Sequence, residues 1–131
     1  MTEKRPRAYV CGPMAGKPGL NADQFERARW LVEQRGHEAV VPHNLSPYTH
    51  DGPCGVVYGP GGGAEAEHDG GCYLRGDLAV MVMCEYVFRL PGWERSKGAC
   101  IESGIAVTLA IPIVDADADA LAAAPIGVGQ G

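Results

Sequence analysis

Four short runs of apolar residues punctuate this chain, and they do not alternate with polar ones: Ala8 to Gly12, Glu38 to Pro42, Tyr86 to Leu90 and Ala110 to Val114. A strand buried on one face alternates, whereas a strand covered on both faces reads as a nearly continuous apolar run. The stretches between them carry a helical period. Phe25, Ala28, Leu31 and Val32 fall at helical spacing, with Asn21 placed as an N-cap and Gly36 where a C-terminal glycine belongs. Tyr73 to Cys84 predicts a second helix with Leu74, Leu78, Met81 and Val82 inward, and Ser96 opens a third that runs to about Leu109. Strands and helices in alternation predict an α/β fold, a parallel sheet sandwiched between helices.

The chain of 131 residues is expected to form one domain, because that length supports a single core and is short for two. Two segments lack periodicity. Residues 45–71 are rich in Gly, Pro, Asp and His and predict a long loop over the site, and residues 115–131 are Ala-, Asp- and Gly-rich and predict a flexible tail. The net charge is −5, and Lys4-Arg5-Pro6-Arg7 is the one basic cluster, which argues against a nucleic-acid polymer as partner. Apolar runs such as Leu78 to Cys84 are too short to span a membrane, and no apolar signal region follows the charged start, so a cytoplasmic location is expected.

Five cysteines, an odd number, read as buried thiols and not as a disulfide framework. His50-Asp51-Gly52-Pro53-Cys54 recurs as His68-Asp69-Gly70-Gly71-Cys72, so two His-x-x-x-Cys pairs could in principle hold a tetrahedral zinc. Structural zinc sites more often use Cys-x-x-Cys knuckles, and a Gly-rich segment repeats short turns by composition alone. Neither a metal nor a cofactor is expected.

Ligands of open parallel sheets bind outside the carboxyl ends of the strands. Tyr9 to Gly16, His43 and Pro91 to Glu102 belong to that end, and Asp77 can reach it. Strand 86–90 ends at the turn Pro91-Gly92, and Glu102 falls in the second turn of the helix that Ser96 opens. On a 3.6-residue period Gly98, Glu102, Ile105 and Leu109 share one face, which predicts an apolar stripe of Ile101, Ile105 and Leu109 beside the carboxylate, and a helix start favours its ionised form. Such a carboxylate is either a nucleophile toward a sugar carbon or a partly exposed helix glutamate. Asp77 is either a partnered carboxyl at the site or a helix-rim residue paired with Arg75.

Three motifs in order carry a resemblance: Tyr9-Val-Cys-Gly-Pro-Met-Ala-Gly, Tyr73-Leu-Arg-Gly-Asp77-Leu, and Leu90-Pro-Gly-Trp-Glu-Arg-Ser-Lys-Gly-Ala-Cys-Ile-Glu102-Ser-Gly-Ile-Ala. Over about residues 8–114 the chain resembles the nucleoside 2-deoxyribosyltransferase-like superfamily, in particular its small DUF4406 branch. The resemblance implies a flavodoxin/Rossmann-like fold, a homodimer or higher assembly, and cleavage of the N-glycosidic bond of a nucleoside or nucleotide by hydrolysis or deoxyribosyl transfer. By position, Glu102 matches the nucleophile, Asp77 the group that handles the base proton and Tyr9 the hydrogen-bond partner of the nucleophile. Gly12, Pro13, Met14 and Gly16 in the first loop, with Ser96, Lys97 and Gly98, match the surfaces that hold the sugar's 5′ end, and His43 and Trp93 join the candidate substrate-binding residues by their place at the carboxyl end of the sheet. Superfamily members acting on free nucleosides carry an aspartate six residues before the nucleophile and those acting on monophosphates a serine. Ser96 therefore implies a 5′-monophosphate. The alternative expectation is a non-catalytic nucleotide-binding or sensing module, since fold does not fix function.

Overall fold

The computed structural model describes residues 4–45 and 70–126. Its centre is a four-stranded parallel sheet of β1 (Arg7–Cys11), β2 (Glu38–Val40), β3 (Tyr86–Arg89) and β4 (Ile113–Asp115), in the order β2-β1-β3-β4. Helix α1 (Ala22–Gln34) follows β1, α2 (Gly70–Met81) precedes β3, and α3 (Lys97–Thr108) joins β3 to β4. A short α4 (Ala118–Ala123) follows the last strand. The fold is α/β and flavodoxin/Rossmann-like. β1 and β3 are neighbours, and the chain leaves them in opposite directions across the sheet, so the switch point lies at their carboxyl ends.

β1 divides the core by simple alternation. Ala8 and Val10 face one layer with Phe25, Ala28 and Val32 of α1, Phe88 of β3 and Leu121 of α4. Tyr9 and Cys11 face the other layer, with Met81 of α2, Val87 of β3 and Ala99 and Ala106 of α3. A strand read on both faces by apolar neighbours needs the unalternating sequence it has.

Helix α1 ends as its sequence predicts. Gly36 adopts φ +80°, its N–H bonds the Glu33 carbonyl at 2.9 Å, and the His37 N–H reaches back to Val32 at 3.3 Å, the paired bonds of a left-handed helix stop. Its start differs from expectation. Asn21 stands at the cap position with φ +64° and makes no side-chain cap bond, because its Nδ2 donates instead to the Pro13 carbonyl at 2.9 Å.

Several boundaries also shift. β2 stops at Val40 because Pro42 opens a 3-10 turn, Pro42–Asn44. α2 begins at Gly70 and ends at Met81, so Gly70 and Gly71 leave the expected loop while Val82 to Cys84 fall beyond the helix, with Val82 exposed. β4 starts at Ile113: Ala110 takes φ +60° to turn the chain out of α3, and only after Pro112 does the strand form. The expected tail 115–131 holds α4, capped by Asp117, which accepts from the Ala120 N–H at 2.8 Å, and anchored by Leu121, 1% exposed. Arg27 of α1 donates to the carbonyls of Leu121, Ala122 and Ala124, tying α4 to α1. The rest of the expected loop, residues 46–69, lies outside the described residues, as do 127–131. Among the described residues no helix is long and apolar enough to cross a membrane.

Candidate functional site

The carboxyl ends of β1 and β3 are held close together. The Leu90 N–H donates to the Cys11 carbonyl at 2.7 Å, and Leu90 sits so near Gly12 that a Cβ there would lie 2.8 Å from it. Glycine at position 12 is therefore a packing requirement. Beyond β3 the chain turns through Gly92 and a short 3-10 turn, Trp93–Arg95, into α3. Arg89 braces this corner: its guanidinium makes two bonds to Asp115 of β4, at 2.6 and 3.1 Å, and lies 3.9 Å over the Trp93 ring. Ser96 then caps α3 as its sequence predicts, its Oγ accepting from the Ala99 N–H at 3.2 Å.

The inward face of α3 is not the expected stripe. Ala99, Glu102, Ser103 and Ala106 are buried against the sheet, whereas Leu109 is 53% exposed and Ile101 and Ile105 are half-buried. Small residues allow α3 to lie close on β1 and β3, and Glu102 is carried in with them. Beneath it stands Tyr9, fully buried, whose hydroxyl donates to Glu102 Oε2 at 2.7 Å. Cys11, two residues along the same face of β1, points its thiol at the Ala99 carbonyl, 3.7 Å away.

Glu102 borders a cavity of about 440 Å³. Glu102, Ser96, Gly98 and Ala99 of α3 line it, with Asp77, Leu74 and Tyr73 of α2, Gly12, Met14, Ala15 and Leu20 of the β1–α1 connection, and Pro42, His43 and Leu45 after β2. Of the sequence-predicted positions, Gly12, Met14, His43, Asp77, Ser96, Gly98 and Glu102 meet here, and Tyr9 reaches the site through Glu102. Pro13, Gly16, Trp93 and Lys97 do not line it: Pro13 is buried and holds Asn21, Gly16 is exposed with φ +79°, Trp93 packs under Arg89, and Lys97 is an exposed first residue of α3. Sequence reasoning missed the apolar wall of Leu20, Leu45, Tyr73 and Leu74. The available signal was an isolated leucine in each of two otherwise polar or Gly/Pro-rich stretches.

Electrostatics set the two carboxyls apart. Burial pushes Asp77 up to about 7, with the charge of Glu102 adding to the rise. Burial also raises Glu102, while hydrogen bonds from Tyr9 and Cys11 act the other way by favouring its ionised form. Burial outweighs those bonds, and the net direction is upward. Tyr9 is raised far above the ordinary phenol range by burial and by the Glu102 and Asp77 charges, so it remains a donor. At neutral pH the site holds one carboxyl close to half protonation and a second one held by a fixed hydroxyl. At the other rim, the first amides of α3, those of Lys97 and Gly98, have no intrahelical acceptor, as at any helix start.

Among the described residues no cluster of three or more His, Cys, Asp or Glu could hold a metal. His50, Cys54 and His68 of the two His-x-x-x-Cys pairs lie outside the described residues, and Cys72 is buried in α2.

Residues 6–115 match a family model whose description is a domain of unknown function, DUF4406. No curated protein matches the chain.

Proposed function

The chain belongs to the DUF4406 family, and on the geometry of its site we propose that it cleaves the N-glycosidic bond of a (deoxy)nucleoside 5′-monophosphate, by hydrolysis or by deoxyribosyl transfer. The observation that carries this reading is the pair of carboxyls, Glu102 and Asp77, that border one cavity in different electrostatic environments, one of them gripped by Tyr9. The likeness of the three motifs to nucleoside 2-deoxyribosyltransferase-like enzymes supports it.

Breaking the bond between a sugar and a base builds positive charge on the anomeric carbon and negative charge on the departing nitrogen. Glu102, fixed by Tyr9, attacks C1′ as the C1′–N bond opens, and Asp77 passes its proton to the base nitrogen that takes the electron pair. The result is a glycosyl ester of Glu102 and a neutral free base. Asp77, now a carboxylate, takes a proton from water or from a second base as that acceptor attacks C1′ and releases Glu102. A carboxyl near half protonation at pH 7 suits both halves of the cycle. The α3 start, with Ser96 and the amides of Lys97 and Gly98, suits a 5′-phosphate, because an anion there meets free donors and the positive end of the helix dipole. A homodimer or higher assembly working in the cytoplasm belongs to the same reading.

The test is a panel of ribo- and deoxyribonucleosides and their 5′-monophosphates, with free base followed by chromatography. Release of base from monophosphates, at about 30- to 1000-fold higher kcat/KM than from the matching nucleosides, is expected from two or three charge-assisted bonds to the phosphate. Tight binding with no turnover of any member would favour the sensing module.

A further inference from the structure

The connection between β1 and α1 holds one side chain in place with strained backbone. Gly19, Leu20 and Asn21 are all left-handed, with φ of +57°, +55° and +64°. Glycine takes that conformation freely and asparagine tolerates it, whereas for leucine it is costly. Three bonds keep the turn closed: the Leu20 N–H donates to the Lys17 carbonyl at 3.0 Å, the Leu20 carbonyl accepts from His43 Nε2 at 2.9 Å, and Asn21 Nδ2 donates to the Pro13 carbonyl at 2.9 Å. The strain does not serve the core, because Leu20 is 52% exposed and lines the cavity. Strain maintained at a cavity wall points to a contact made with a ligand.

Tyr73 reaches the same cavity from the other face of the sheet. Helix α1, into which Leu20 leads, packs with Ala8 and Val10, whereas α2, which carries Tyr73, packs with Tyr9 and Cys11. Tyr73 is 46% exposed and stands four residues before Asp77, one turn away on the same side of α2. A base close enough to take a proton from Asp77 is therefore beside Tyr73, whose ring offers an apolar face at little cost in side-chain freedom.

We infer that Leu20 and Tyr73 hold the leaving base by its faces, so that the base is gripped through stacking and apolar contact with these two side chains. This rests on the nucleotide reading above and assigns the part of the cavity that takes the base.

The experiment measures dissociation constants in a Glu102→Gln background, where turnover stops. The probes are the 5′-monophosphates of adenine, guanine, cytosine and uracil in the ribo and deoxy series, together with ribose 5-phosphate and 2-deoxyribose 5-phosphate, which keep the sugar and phosphate and lack the base. Tyr73→Ala should weaken the tightest nucleotide about 5- to 100-fold, as loss of one aromatic–base stack does, and Tyr73→Phe should stay within about threefold of the parent. Leu20→Gly should weaken it about 3- to 30-fold while its unfolding midpoint stays level or rises, because glycine relieves the left-handed backbone. Affinity for the sugar phosphates should move by no more than about twofold in either variant, since the base contacts are independent of that end. With Glu102 restored, both substitutions should raise KM and leave kcat nearly unchanged, the pattern of contacts equally strong before and during bond cleavage. Equal losses for nucleotide and sugar phosphate, a loss confined to kcat, or nucleotide affinity unchanged in both variants overturns the role of Leu20 and Tyr73 and leaves the glycosidase reading standing. Absence of both binding and turnover across the nucleotides overturns the nucleotide site itself, and this inference with it.

Discussion

The two faces of the sheet are built from the same strands and serve opposite ends. On the α1/α4 side, Ala8 and Val10 meet Phe25, Val32 and Leu121, and the buried side chains of that layer are nearly all hydrocarbon. On the α2/α3 side, Tyr9 and Cys11, one residue out of step on the same strand, meet Glu102 and Ser103 as well as apolar neighbours. One face contributes burial, about 25 cal/mol for each Å² of apolar surface. The other accepts the cost of a carboxylate 5% exposed, which raises its pKa, and retains it through the Tyr9 bond. The period-2 geometry of β1 is what keeps these two demands apart.

That separation is most sharply tested by exchanging the losses. Glu102→Gln preserves shape and removes the proposed nucleophile, and it should lower turnover on the order of 10⁴-fold, about 5.5 kcal/mol of transition-state stabilisation. Thermal stability should stay level or rise, because a buried carboxyl is removed. Phe25→Ala should do the reverse: a loss of about 3–5 kcal/mol in unfolding free energy with near-normal activity per folded molecule. Chemical denaturation and active-site titration of both variants are the measurements. A Glu102→Gln protein that is active, or one that unfolds as readily as Phe25→Ala, would erase the distinction.

Much of the apolar side was legible before any coordinates, and less of the polar side. Strand β1, helix α1 and its stop at Gly36 follow from local signals that leave few alternatives, and so does the cap at Ser96. The inward face of α3 was misread because that helix is apolar nearly all round, so its period carries no direction. Packing then chose the small residues Ala99, Ser103 and Ala106, leaving Val107 69% exposed. The α4 helix was hidden because one leucine among alanines makes no detectable stripe, and its tie to α1 runs through the distant Arg27. Glu102, Asp77 and Tyr9 are singled out as candidates through motif resemblance. Composition and spacing alone left Glu102 open to being an exposed helix residue, since no local signal states that a side chain 93 positions away will donate to it.

Tyr9→Phe sharpens the comparison without changing shape. It deletes the hydroxyl that holds Glu102, a bond to an ionised acceptor worth about 1.5–3 kcal/mol, so kcat/KM should fall about 10- to 100-fold. The Glu102 carboxyl should rise further, moving the acidic limb of the activity profile upward in pH, since that bond favours the ionised form. A Phe variant with unchanged activity and profile would mean that Tyr9 is only core.

The smallest effect is a pH dependence of stability that the α1/α4 face cannot produce. Asp77 has an ordinary carboxyl pKa near 3.8 in the unfolded chain and about 7 in the folded one, chiefly through burial and then through the Glu102 charge. Between those two values the native protein keeps the proton and the unfolded chain has lost it, so unfolding releases protons and stability falls as pH rises across that window. The contribution is complete below about pH 4 and gone above about 7. Asp77 is only half-buried, and solvent screening reduces the full linkage to about 1–2 kcal/mol. Asp77→Asn should therefore flatten the fall in stability between pH 4 and 7, and Glu102→Gln should shift its upper end downward by removing the charge that helps raise Asp77. Unfolding curves at four or five pH values in that interval decide the matter. A slope that Asp77→Asn leaves unaltered would place the proton elsewhere and withdraw Asp77 from the role of acid.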